Sequence, residues 1–98
     1  MNYLDEIAKA IRNAAQPDAL PDDDTTDLFR LYAVLLLAKD SEVTHEDVHN
    51  AWVAWMLSKG EHHPSLVPFE ELDAQTQAED SPFMGAIREV ARSRRRAR

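Results

Sequence analysis

The chain has no cysteine, so it can build neither a disulfide framework nor a thiolate site. It has only two glycines in 98 residues, and its abundant Ala and Leu favour helices. No alternating β-branched run of useful length appears, and no internal repeat is visible. No apolar run approaches 18 residues, which leaves no candidate membrane span. The opening Met1-Asn2-Tyr3-Leu4-Asp5-Glu6 carries neither a basic n-region nor an apolar h-region, so the expectation is no signal peptide and a cytoplasmic location. A length of 98 residues sets the scale at one domain with a modest core.

What is present is helical periodicity. Leu4, Ile7, Ala8, Ile11, Ala14 and Ala15 share one face, which predicts a first helix over 3–15 with Asn2 as its cap. Gln16 to Asp24 is a Pro- and Asp-rich loop. It lacks the alternating carboxylates, central Gly and closing Glu of a calcium loop, so it is expected to be a solvated acidic stretch. A second helix is predicted over 26–39, capped by Asp24 or Thr25. It is apolar nearly all round from Leu28 to Ala38, the pattern of a central strut buried on several sides. From Asp73 onward the chain is expected to be helical with one break near Pro82, after which Phe83, Met84, Ile87, Val90 and Ala91 form a buried face. The fold predicted is a compact all-α bundle of four main helices over 1–91, with an Arg-rich tail over 92–98.

The stretch from Thr44 to Leu72 is the densest in information. Thr44 and Asp47 stand at capping-box spacing, and Val43 and Val48 at hydrophobic-staple spacing. Gly60 stands just past the end of a helix over 45–59. That helix carries Trp52, expected in the core, and Trp55, expected to be partly exposed. Beyond Gly60, two X-Pro steps and the apolar Leu66, Val67 and Phe69 predict an ordered extended segment over 61–69 lying across the helices.

His45-Glu46-Asp47-Val48-His49 matches H-E-x-x-H, in which two helical histidines hold zinc and the Glu is a general base. A chain of this composition carries such a match by chance about once in eighty. The position after His45-Glu46 is the charged Asp47, and 98 residues leave little room for a substrate cleft. The reading that leads is therefore solvated surface histidines, with His63 expected to fix the turn at Pro64 through a side-chain hydrogen bond. A zinc hydrolase on His45, Glu46 and His49 ranks far below it, and no cofactor is expected.

The string His49-Asn50-Ala51-Trp52, then Gly60, then His63-Pro64-Ser65-Leu66-Val67-Pro68-Phe69-Glu70-Glu71-Leu72 and Glu79-Asp80 resembles the RyR-type small helical domain over residues 45–91. The whole chain also resembles uncharacterised small proteins of actinobacteria and their bacteriophages. The RyR resemblance implies a small-ligand or nucleotide site lined by Trp52, His63 and the 63–69 backbone, with Arg30 or Arg88 meeting phosphate.

Charge is divided along the chain. Residues 1–87 hold 5 basic and 17 acidic side chains, net −12; residues 88–98 hold six Arg and one Glu, net +5. The tail arginines Arg92, Arg94, Arg95, Arg96 and Arg98 could meet nucleic acid phosphates, but the acidic body repels DNA, so pairing with the body or with an acidic partner ranks higher. The functional reading that leads is a non-enzymatic, phage-encoded binding or adaptor protein. Its partner, a host protein or a second copy, would dock around Trp52, Trp55, Pro64 and Phe69 or on the tail. The RyR-like ligand binder is the alternative.

Overall fold

Four long stretches of the chain wind into helices, and three of them begin where a side-chain oxygen satisfies amides that a helix start leaves open. The computed structural model describes residues 2–15 and 24–96. Helix α1 runs Tyr3–Ala14, and Asn2 Oδ1 accepts from the Asp5 amide at 2.8 Å. Helix α2 runs Thr26–Lys39. Of its two candidate caps Asp24 does the work, accepting from the Thr26 amide at 3.0 Å and the Thr26 hydroxyl at 2.6 Å. Thr25 is buried instead, its hydroxyl accepting from Arg12 Nη1 at 2.7 Å. The rest of the acidic loop, residues 16–23, lies outside the described residues, as does Arg98.

Helix α3 runs His45–Ser58 and starts with the capping box that its sequence predicts. The Thr44 hydroxyl accepts from the Asp47 amide at 3.2 Å and the Asp47 carboxylate accepts from the Thr44 amide at 2.9 Å. Val43 and Val48 close the staple beneath it, both fully buried. The helix ends in a Schellman motif: Gly60 adopts φ 72°, its amide donates to the Leu57 carbonyl, and the Glu61 amide donates to that of Met56, each at 3.1 Å. A short helix α4, Ala74–Ala78, is capped by Asp73, and α5 runs Ser81–Arg96. The Asp80 carbonyl accepts from the amides of Phe83 and Met84 as α5 begins. Asp80 thus precedes the helix, and Pro82, whose missing N–H is harmless there, lies in its first turn. The described residues contain no strand, and the architecture is an all-α bundle of four main helices with the last preceded by the short α4.

The core forms where α1, α3 and α5 meet α2. It is built from Ile7 and Ile11 of α1, Phe29 and Tyr32 of α2, Trp55 of α3 and Ile87 of α5, among others. Helix α2 is not buried on all sides as its apolar sequence suggests. Its three neighbours leave part of its circumference open, where Val34 and Leu37 are 49% and 47% exposed. Trp52 and Trp55 also exchange their expected places: Trp55 is 5% exposed and Trp52 only half-buried. Trp55 shares its face with Val48 and Ala51, which is pressed into the bundle, whereas Trp52 is turned one step round α3 towards the Pro-rich segment.

That segment is ordered. The Leu66 amide donates to the His63 carbonyl at 3.1 Å, closing a turn with Pro64 inside it, and Phe69–Glu71 form one turn of 3₁₀ helix. The arginine-rich end is not a separate tail in shape, because α5 continues unbroken through Arg96.

A candidate site between two aromatic walls

Between α2, α3, the Pro-rich segment and the α4–α5 junction lies a cavity of about 480 Å³. The sequence puts its walls there by simple helical spacing. Leu28 and Tyr32 are four apart on α2, and His49, Trp52 and Trp55 follow at three-residue steps on α3, so each group lines one helix face. His63 and Ser65 come from the Pro64 turn; Thr76, Glu79, Asp80 and Phe83 come from the other rim.

The rings make two groups. In one, the Tyr32 ring lies 5.7 Å from that of Phe83 and 5.3 Å from that of Phe29. In the other, Trp52 stacks on His49 at 5.8 Å and stands perpendicular to the His63 ring at 5.2 Å.

The histidines are fixed by hydrogen bonds. His49 is 3% exposed, and its Nε2 stands 2.7 Å from the Val67 carbonyl oxygen. A carbonyl only accepts, so Nε2 carries a proton and donates it. This bond ties the Pro-rich segment to α3 and corrects the expectation of a solvated His49: the ring is buried because Phe69, 6.1 Å away, and Trp52 pack on it. His63 Nδ1 accepts from the Ser65 amide at 3.0 Å, the side-chain bond expected at the Pro64 turn. That leaves Nε2 as the nitrogen that carries the proton in its neutral ring.

Asp80 is the least expected member. The sequence offers Asp80 or Ser81 as a cap before Pro82; the structure makes Asp80 a half-buried carboxylate in the cavity lining. Among the described residues its carboxylate has no hydrogen-bond partner. Burial pushes its pKa up to about 6; the charges of His49 and His45 pull the other way and that of Glu79 adds to the rise. Tyr32 is raised well above the usual tyrosine range, by burial first and then by the charge of Asp80.

The remaining predicted residues fall elsewhere. Arg30 lies on the α1–α2 seam, where Nε meets Asp5 Oδ1 at 2.6 Å and Nη1 meets Asp27 Oδ1 at 3.0 Å. Arg88 Nε donates to the Val43 carbonyl at 2.8 Å, tethering α5 to the turn before α3. Neither arginine lines the cavity, so the predicted phosphate contacts are not brought to Trp52 and His63. Pro64 is exposed beside the rim, and Phe69 supports His49 from behind. His45 Nε2 is 2.8 Å from Ser81 Oγ and His49 Nε2 faces Val67, so the two histidines of the H-E-x-x-H match engage different neighbours. Among the described residues, no group of three or more His, Asp or Glu side chains could hold a metal ion. Arg92, Arg94, Arg95 and Arg96 lie on the last turns of α5, where Arg95 reaches Asp40 at 3.5 Å and Ser41 Oγ at 3.2 Å. No described helix is long and apolar enough to cross a membrane.

Trp52, Trp55 and His63 were legible as site candidates. Tyr32 and Phe83 read as ordinary core residues and Asp80 as a helix cap, because nothing along the chain says that α2 and the start of α5 face the same space as Trp52.

No curated protein and no solved structure matches this chain. The profile of a family described as a domain of unknown function, DUF7701, matches residues 2–92, nearly the whole chain and all the elements that line the cavity, and the protein belongs to that family.

Proposed function

We propose that this domain is a non-enzymatic binding protein whose ligand is a small molecule held between the two aromatic walls. The observation that carries the reading is the aromatic lining of this half-open cavity. Six rings, those of Tyr32, His49, Trp52, Trp55, His63 and Phe83, border one cavity of about 480 Å³, within the range usual for small-molecule sites. The walls are held in place without a ligand, since His49 is anchored on Val67 and His63 on Ser65, so binding need not spend free energy on ordering them. The RyR-like string over 63–72 falls on the same rim.

Both tryptophans of the chain border the cavity, so intrinsic fluorescence reports its occupation directly. A panel of cationic, neutral and anionic small molecules is titrated into the full chain, following tryptophan emission and melting temperature. A ligand at a hundred times its Kd adds about 2.7 kcal/mol, several degrees for a domain of this size. A panel that moves neither signal, in any charge class, removes the reading.

One observation favours a second reading, a phage-encoded adaptor for a host protein. Val34, Leu37 and Leu57 on α2 and α3 are 49%, 47% and 62% exposed, apolar surface of the kind that partners cover. Under that reading Val34→Asp with Leu57→Asp abolishes capture of the partner while leaving ligand-induced changes in tryptophan emission intact. Trp55 is buried and offers no anchor to such a surface.

A further inference from the structure

Resting on the small-molecule reading, we propose that the cavity takes a compact organic cation, an alkylated ammonium group, with Asp80 as its counter-ion and the half-buried rings of Trp52 and Phe83 as its walls. Four observations converge on that chemistry.

The first is the charge of the lining. It includes two carboxylates, Glu79 and Asp80, and among the described residues no Lys or Arg. The two arginines that could have served an anion are occupied, Arg30 by Asp5 and Asp27 and Arg88 by the Val43 carbonyl.

The second is the state of Asp80. A half-buried carboxylate without a hydrogen-bond partner among the described residues is costly to keep charged, since neither water nor protein fully compensates it. A cation beside it restores that compensation.

The third is the aromatic lining. The negative face of an indole or phenyl ring attracts a cation, which is how alkylammonium groups are held by aromatic cages in general. Trp52, packed by His49 and His63, and Phe83, packed by Phe29 and the buried Tyr32, are both held firmly enough to act as such walls.

The fourth is the field of the whole molecule. A net charge of −7 raises the local concentration of cations and repels anions. Nucleotide phosphates would meet that field and two rim carboxylates, with no Lys or Arg in the described lining to receive them.

The test uses the full chain at pH 7.5 and constant ionic strength. Choline, tetramethylammonium and benzyltrimethylammonium are titrated against tryptophan emission and melting temperature, with potassium chloride as the salt control. The neutral carbon isostere of choline, 3,3-dimethylbutan-1-ol, is titrated beside them. At least one cation is expected to bind saturably, with the isostere weaker by about tenfold or more. Asp80→Asn is expected to erase the preference for charge while Glu79→Gln keeps most of it. Equal response to choline and its isostere overturns the cation assignment while leaving a small-molecule site in place. So does silence from all three cations when another member of the wider panel binds. Silence from the whole panel takes down both readings. The comparison of choline with its isostere needs no variant, so it stands even if Asp80→Asn folds poorly.

Discussion

Asp80 carries the largest residue-scale consequence. Its folded pKa, about 6, lies above the ordinary 3.8, so between those values the folded protein holds a proton that the unfolded chain has released. Its contribution is therefore fully present below about pH 4 and is lost as pH rises through 6. Asp80→Asn is expected to stabilise the protein at pH 7.5 by about 1 kcal/mol, the shift being discounted for the side chain's partial contact with water, and to flatten the stability profile between pH 4 and 6. Urea denaturation at pH 4.5, 6 and 7.5 checks this. A variant less stable than the parent at pH 7.5 would mean that the charge is compensated. Asp47 behaves in the opposite sense. Burial works against its charge, but hydrogen bonds from Lys39 and from Thr44 outweigh it and hold the carboxyl below the usual range. Asp47→Ala removes half of the capping box and the Lys39 contact together and is expected to cost about 1–2 kcal/mol, measured in the same denaturant series. These two aspartates also show how far a residue can be read from its neighbours in sequence. Asp47 was legible because its partner Thr44 lies three positions away. Asp80 was not, because what buries it comes from α2 and α3.

At the scale of elements, the strongest local signals are the caps. The staple of Val43 and Val48, the box of Thr44 and Asp47 and the Schellman ending at Gly60 each involve groups within six residues, and the structure contains all of them. Gly60 holds φ 72° with open space around the position of a Cβ, so Gly60→Ala meets no clash and only the strained backbone acts. The expected loss is about 1 kcal/mol, seen as a drop in melting temperature of several degrees. Asp40 adopts φ 55° and ψ −130°, a conformation that suits glycine, where α2 hands over to the 3₁₀ turn before α3. Asp40→Gly is expected to raise stability by a few tenths to about 1 kcal/mol in spite of losing the contact to Arg95, because a surface ion pair contributes little. Nothing in the sequence announces that strain: the residues around Asp40 look like an ordinary polar turn. The exchange of Trp52 and Trp55 belongs here too. An apolar stripe tells which residues share a face, but the centre of the face is decided by where the neighbouring elements land, and the Pro-rich segment lands on Trp52.

For the whole molecule, composition and periodicity were enough for an all-α bundle of four main helices, since each helix carries its own pattern. The cavity was not legible, because it exists only where four separate stretches of chain converge. The charge split has a smaller structural effect than its size suggests. Among the described residues Arg95 alone of the arginines beyond Arg88 has an ion pair, at 3.5 Å from Asp40, while Arg92 and Arg96 stand exposed on α5. Truncation after Ala91 is therefore expected to change the melting temperature by no more than a few degrees. A collapse of the fold would show that the end of α5 is part of the core. The most direct test of the central claim is a ¹H–¹⁵N correlation spectrum of the full chain titrated with choline. The account predicts saturable shifts gathered at the indole N–H signals of Trp52 and Trp55 and at the amides of Ser65, Asp80 and Phe83. Saturable shifts confined to the outer faces of α2 and α3 around Val34 and Leu57, with the cavity signals unmoved, would contradict it.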